Sequence, residues 1–241
     1  MLRLLNPVAR AGRWLGCALM LWSVGAAAAS LEVDPIRVTL SAAQPIAALT
    51  VRNAGTRPAG LHLQVVAWTQ GDSGDHYAAT PELLATPPIF TLAPGAIQTV
   101  RVGLRRAVDP QREMAYRIFL QEIPDTVEPD GTGVRIALRI GVPVFVSPQT
   151  PAAPLLRWRA QREGDAIVLH AQNTGNAHAR VVGMQLHSGP RTVAEAAGAY
   201  LLPGQSGRWR LAVTPMPAAG APLRVSAKTT SGNVDTYVVL E

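Results

Sequence analysis

The sequence predicts an all-β fold built as two tandem sandwiches, and three observations carry that expectation. Short runs with an aliphatic or β-branched residue at every second position recur along the chain, the period of a half-buried strand. Turn-forming residues separate these runs, and no convincing amphipathic helix stands between them. Near the middle the pattern stops at Ser147-Pro148-Gln149-Thr150-Pro151-Ala152-Ala153-Pro154, a proline-rich stretch of the kind that joins domains.

The first 29 residues read as a secretory signal peptide. Arg3, Arg10 and Arg13 precede an apolar run from Trp14 to Val24, which ends in the small residues Ala26 to Ala29. That is the pattern of a cleaved leader, with cleavage expected near Ala28 to Ser30. The apolar run is well short of the ~20 residues a spanning helix needs. Cys17, the only cysteine, leaves with the leader, so disulfides and thiol chemistry are excluded from the mature chain. The whole sequence has 22 Lys and Arg against 16 Asp and Glu; without the three leader arginines the net charge falls from +6 to +3. Mild basicity of that size gives no reason to expect nucleic acid as a partner. The mature product is expected to be exported and not inserted in a membrane.

In the first half the expected strands are Leu31 to Leu40, Ile46 to Asn53, Gly60 to Thr69, Ile89 to Leu92, Gln98 to Leu104, Tyr116 to Ile123 and the run 134–146. Turns fall at Asn53-Ala54-Gly55, Gly71 to Gly74, Pro94-Gly95 and Asp130-Gly131. Seven short strands in about 120 residues is the count of an immunoglobulin-like sandwich. The second half repeats the pattern on a smaller scale, with strands expected at Leu156 to Ala160, Ala166 to Asn173, Arg180 to His187, Arg191 to Val193, Gly207 to Val213, Pro222 to Lys228 and Val234 to Leu240. Ala194 to Ala199 is expected to make at most one helical turn. The halves share an L-x-P-G turn, Leu92-Ala93-Pro94-Gly95 and Leu202-Pro203-Gly204. The organisation is therefore leader 1–29, first domain 30–147, hinge 148–154 and second domain 155–241.

Residues 134–146, VRIALRIGVPVFV, place an aliphatic at every second position: Val134, Ile136, Leu138, Ile140, Val142, Val144 and Val146. At about 3.3 Å per residue such a strand runs roughly 40 Å, far beyond the usual five or six residues. Read from the residues alone, it is either a long strand that switches between its own two sheets or one that lends part of its apolar face to something else.

Several motifs together resemble a known family. Ala85-Thr86-Pro87-Pro88 precedes a strand, Leu92-x-Pro94-Gly95 is followed by Val100-Arg101-Val102, and Tyr116-Arg117-Ile118-Phe119-Leu120-Gln121-Glu122-Ile123-Pro124 leads toward the long strand. Asn173-Thr174-Gly175-Asn176-Ala177-His178-Ala179-Arg180 opens the second half. In this order and over essentially the whole mature chain they resemble the periplasmic pilus-assembly chaperones of the chaperone–usher pathway, in the divergent branch that builds thin, non-classical pili. The resemblance implies a periplasmic protein that binds pilus subunits lacking their last strand and passes them to an outer-membrane usher. It implies that Val134, Ile136, Leu138 and Ile140 fill the subunit's open groove by β-augmentation, where main-chain bonds set register and alternate side chains fill pockets.

In the family a pair of basic residues also binds the subunit's C-terminal carboxylate. Arg37, in Leu31-Glu32-Val33-Asp34-Pro35-Ile36-Arg37-Val38, takes the first of these positions, and a guanidinium can hold a carboxylate by two hydrogen bonds. The second position, a lysine in the best-known branch, falls on Pro143, which cannot serve. Arg117 is the preferred substitute and Arg139 the next. For each arginine a solvated strand face is the plainer alternative.

Other chemistry finds little support. His62, His76, His170, His178 and His187 lack zinc-site spacing, and His178 in a polar turn reads as structural. Met184 and Met216 read as core, as do Trp68, Trp158 and Trp209. No G-x-S-x-G, P-loop or H-E-x-x-H motif occurs, so neither an enzyme nor a cofactor is expected. A secreted two-domain structural or fibre-associated binding protein remains the alternative reading.

Overall fold

The structure is a computed structural model that describes residues 30–71, 74–124 and 137–241; the leader, with its cleavage signal, lies outside them. No helix occurs among the described residues, and eighteen strands do. In the first half they are Leu31–Asp34 (β1), Val38–Leu40 (β2), Ile46–Asn53 (β3), Ala59–Gly71 (β4), Gly74–Ala79 (β5), Leu83–Thr86 (β6), Ile89–Leu92 (β7), Ile97–Leu104 (β8), Met114–Ile123 (β9) and Arg139–Val146 (β10). The second half holds Leu156–Glu163 (β11), Ala166–Asn173 (β12), Ala179–Ser188 (β13), Arg191–Ala197 (β14), Tyr200–Leu201 (β15), Ser206–Ala212 (β16), Pro222–Thr229 (β17) and Gly232–Val239 (β18).

The first sandwich faces a sheet of order β1-β3-β8-β6 against one of order β2-β10-β9-β4-β5, with β7 also on β4. Val51, Leu61, Val100, Ile118, Leu120, Val142, Val144 and Val146 close its core. The second sandwich faces β11-β12-β16 against β14-β13-β17-β18, over a core that includes Ile167, Leu169, Leu186, Leu211, Leu223 and Val225. Both are immunoglobulin-like all-β sandwiches, as the alternation predicts.

Several expectations are corrected. Leu31 to Leu40 is two strands in different sheets. Leu31 and Val33 face inward at odd positions, Val38 and Leu40 at even ones, and the phase slips across Pro35 where the chain crosses from one sheet to the other. Ala194 to Ala197 forms no helical turn; it belongs to β14, which pairs with β13 past a register shift at Leu186 and His187. Gly74–Ala79 forms β5, a strand not among those expected, which pairs back along β4. The leucine of the second L-x-P-G turn is Leu201, whose carbonyl takes the place of that of Leu92. Gly95 and Gly204 adopt φ of 75° and 76°, a region only glycine enters cheaply. Trp68 is buried outside the first core, in a separate cluster with Phe145 and Leu202 that joins the two halves. Trp158 and Trp209 stack at 6.0 Å along the rim of the second core.

Among the described residues the long strand begins within its apolar alternation. β10 begins at Arg139; Val134 and Ile136 lie outside the described residues. Leu138 precedes the strand but is tied to β9, its N–H donating to Glu122 Oε2 and its carbonyl accepting from the Glu122 N–H at 2.9 Å.

Candidate functional site

The site is built on β10 and the face it shares with the second half. β10 lies antiparallel to β9 along its whole length, but its other side meets β2 only from Val144 to Val146. From Arg139 to Pro143 that side has no strand partner among the described residues. Such an edge presents unpaired main-chain groups ready to accept another strand. Val142, Val144 and Val146 point into the first core and are essentially inaccessible, each worth about 1.5–3 kcal/mol by burial. Ile140 sits half-buried at the rim of that core, and Leu138 is half-buried beyond it. The strand's buried part anchors it, and its edge and apolar face run outward from there.

The arginines are placed by register. Val38 pairs in parallel with Val144, so the β2 ladder begins one residue after Arg37; Pro143 pairs with Arg117. Pro143 and Arg117 therefore lie in one row across β10 and β9, and Arg37 sits in the bend just before β2. This row alternates with the core-facing row of Val38, Val144 and Tyr116, so it belongs to the opposite face. Arg37 lies in the bend between β1 and β2, exposed and without an acidic partner among the described residues, next to the 81% exposed Ile36.

Arg117 is held more tightly. Its guanidinium stacks 4.1 Å from the Trp68 ring centroid, its Nη1 donates to Tyr77 Oη at 2.7 Å, and Asp75 Oδ2 stands 4.0 Å away. Its buried Nε has no acceptor. The Tyr77 hydroxyl donates to Asp75 at 2.9 Å, and burial together with that bond pushes its pKa up to about 12. Burial alone would raise Asp75, but bonds from Gln70 and Tyr77 and the charge of Arg117 hold its carboxyl below the ordinary range. Arg139 stacks 3.9 Å from the Phe119 centroid, farther along the same face.

The second half closes one end of this face. Gln70, at the end of β4, donates to the Tyr200 carbonyl at 2.9 Å and to Asp75 Oδ1 at 2.8 Å, while its Oε1 accepts from the Leu202 N–H. Glu113 Oε1 accepts from both the N–H and the ring Nδ1 of His178, and the His178 ring lies flat on Phe145 at 3.6 Å. Arg112 donates to the Pro203 carbonyl. The structural reading of His178 is thus specific: it fastens the two sandwiches.

Among the predicted site residues, Arg37 lies in the bend before β2, Arg117 stacks on Trp68 and bonds Tyr77, and Arg139 stacks on Phe119, which meets Tyr77 edge to face at 5.2 Å. Sequence reasoning missed Gln70, Asp75, Tyr77 and Glu113, because their roles depend on contacts between strands remote in sequence. It quoted Arg180 without assigning it a role. No group of His, Cys, Asp or Glu able to hold a metal occurs among the described residues, and no helix there is long and apolar enough to cross a membrane.

Two linked sandwiches with an open strand edge beside a basic, aromatic-lined cleft define a class of binding protein. Residues 30–152 match the family of pili and flagellar-assembly chaperones, in the PapD N-terminal domain. The chain belongs to that family of pilus-assembly chaperones. Among solved structures it is similar to the CsuC–CsuE chaperone and tip-subunit pre-assembly complex of the archaic Csu pili of Acinetobacter baumannii, at 18% identity and a TM-score of 0.67 over 88% of this chain and 100% of that one. It is similar to the chaperone SafB, solved with the SafA pilin of Salmonella enterica, at 17% identity and a TM-score of 0.61 over 88% and 97%. The E. coli chaperone DraB is 20% identical with a TM-score of 0.59 over 87% and 98%. A comparison with curated protein sequences finds no match.

Proposed function

We propose that this chain is an exported periplasmic chaperone that captures pilus subunits lacking their last strand, completes them with residues 134–140, and delivers them to an outer-membrane usher. The leader is residues 1–29, the capturing domain 30–147, the hinge 148–154 and the second domain 155–241. The observation that carries the reading is the free edge of β10 from Arg139 to Pro143, continuous with the half-buried Ile140 and Leu138. A subunit strand added there would pair by main-chain bonds, and Val134, Ile136, Leu138 and Ile140 would enter its open groove. Complexes of this kind are solved for the similar CsuC and SafB proteins.

The subunit's C-terminal carboxylate is seated over Pro143, between Arg37 and Arg117. A flat side chain that offers no charge leaves room there for two long guanidinium arms to converge, so the missing lysine need not be replaced on β10 itself. Arg139 is the less favoured alternative, because it is stacked on Phe119 outside that row. Co-expression with the pilins of the same gene cluster tests the reading. The wild-type chain should hold one of them in a soluble complex of about equal stoichiometry; Arg37→Ala should reduce the yield without altering the free protein's melting temperature, and Arg117→Ala should reduce it too, with a lower melting temperature because its Trp68 and Tyr77 contacts go with it. Recovery of every pilin in the same amount with and without the chaperone overturns it.

A further inference from the structure

Arg37 and Arg117 both belong to the first sandwich. The second sandwich brings a guanidinium of its own to the aromatic pair on which Arg117 rests. Arg180, at the start of β13, lies cross-strand from Tyr200 of β15, and its guanidinium carbon stands 4.5 Å from the Tyr200 ring centroid. The Tyr200 ring meets Trp68 edge to face at 5.3 Å, and Trp68 carries Arg117 on its own ring. One aromatic pair spanning the two sandwiches therefore supports a guanidinium from each. Asn176 and His178 of the second half are bonded to Glu113, His178 covers Phe145 just before β13 begins, and Arg180 follows two residues later as the second residue of β13. Arg180 is half-buried, and no acidic group pairs with it among the described residues.

A half-buried cation that rests on an aromatic face with no ion-pair partner among the described residues is short of an anion, since burial removes water without supplying a counter-charge. We infer that Arg180 is the second-domain arm of the carboxylate seat, closing over the subunit's C-terminal carboxylate from above while Arg37 and Arg117 hold it from the sheet. This rests on the carboxylate-anchor reading given above. It assigns the second sandwich a part in recognising the subunit's end, and it makes the relative placement of the two sandwiches, fixed by Gln70, Glu113 and His178, a condition for a complete seat.

The test uses the full chain, as wild type and as Arg180→Ala, Arg180→Gln and Arg180→Lys, with the pilin that wild type captures prepared in two forms. One pilin ends in its natural carboxylate and the other carries a short C-terminal extension. The expected result is a loss of roughly tenfold in affinity for the natural pilin on Arg180→Ala and Arg180→Gln, with most of it restored by Arg180→Lys. With the extended pilin, which wild type should already bind more weakly, the same substitutions should change nothing further. Arg180→Gln keeps the stem over Tyr200, so its loss reports charge and not packing. Equal affinity of wild type and Arg180→Gln for the natural pilin overturns the inference, and so does an equal loss on both pilin forms, which would mark a packing role. If wild type captures none of the pilins of its gene cluster, the donor-strand reading itself fails and the inference with it; normal capture that is indifferent to the extension sinks the carboxylate seat alone.

Discussion

Asn53 and Asn173 make the same five hydrogen bonds, one set in each sandwich. Each side-chain amide donates to two carbonyls, those of Arg57 and Leu92 in the first and of Ala177 and Leu201 in the second. Each Oδ1 accepts from the glycine two residues on, Gly55 or Gly175. Each backbone carbonyl accepts from the glycine of the L-x-P-G turn, Gly95 or Gly204, and each backbone N–H bonds the residue after it, to Ala96 or Gln205. Both side chains are almost wholly inaccessible, so these bonds have no water to replace them.

Removing either amide should therefore cost far more than a surface polar contact. Asn53→Ala leaves two carbonyls and one N–H without partners, and a buried group left unsatisfied costs about 1–3 kcal/mol. Asn173→Ala should cost at least as much, because Asn173 Oδ1 also accepts from Leu155 at the entry to the second sandwich. Urea unfolding of each variant measures the loss; a change below about 0.5 kcal/mol, the range of neutral surface substitutions, would contradict the role given to the corner.

The donor strand predicts a contrast between its two ends. Leu138→Asp, alone or with Ile136→Asp, should leave the chain folded and abolish subunit capture, since an unpaired carboxylate in an apolar groove is costly. Val144→Asp places the same charge at a fully inaccessible position between Val38 and Tyr116, and should unfold the first sandwich instead. Circular dichroism and pilin pull-down on both variants separate the cases. Unfolding by Leu138→Asp would mean that residue is core.

How much of this was legible in the sequence differs from element to element. β10 and the paired turns were readable because alternation and L-x-P-G are local signals. The break of the first strand was also present, as the phase slip from Leu31 and Val33 to Val38 and Leu40, but continuous β-propensity concealed it. β5 gave no alternation to read, since all six of its residues are exposed. The alanines of β14 favour helix by local propensity, and pairing with β13 overrode that preference. Of the site, Arg37 and Arg117 were found through the motif, whereas the pairing of Arg117 with Pro143 and its contacts to Trp68 and Tyr77 depend on strands remote in sequence. Arg180 acquires meaning only when the second sandwich is set against Trp68, a contact between residues more than a hundred positions apart.

Acid stability should depend on the Tyr116 hydroxyl, which donates to Glu82 Oε2 at 2.7 Å. That bond, opposed by burial and aided by Arg106, lowers the Glu82 pKa from its ordinary 4.5. A carboxyl whose folded pKa is depressed contributes stability that is present above 4.5 and is lost as pH falls through the lower folded value. Tyr116→Phe removes the main cause of the depression, so the variant should lose less stability than wild type on going from neutral pH to below 4.5, although it starts lower. Urea midpoints at both pH values give the comparison, and parallel curves for the two proteins would sink the assignment.

The last prediction concerns Gln70, through which the two sandwiches and the arginine cleft are joined. Its amide donates to the Tyr200 carbonyl and to Asp75, and its oxygen accepts from the Leu202 N–H. Asp75 in turn accepts from Tyr77, which accepts from Arg117. Gln70→Ala should free the sandwiches to move against each other while leaving each core intact, because no core residue changes. Gln70→Glu should be worse near neutral pH: the new carboxylate cannot donate to the Tyr200 carbonyl and faces the Asp75 carboxylate where the amide had stood 2.8 Å from it. Like charge raises the pKa of the introduced acid, so acidification should protonate it, restore a donor and recover part of the coupling, whereas Gln70→Ala should show no such recovery. Nitrogen-15 relaxation reads this directly, as separate rotational correlation times for the two sandwiches in the variants against a single common one in wild type. A single common time in Gln70→Glu at neutral pH would show that Glu113, His178 and Arg112 hold the sandwiches together without it.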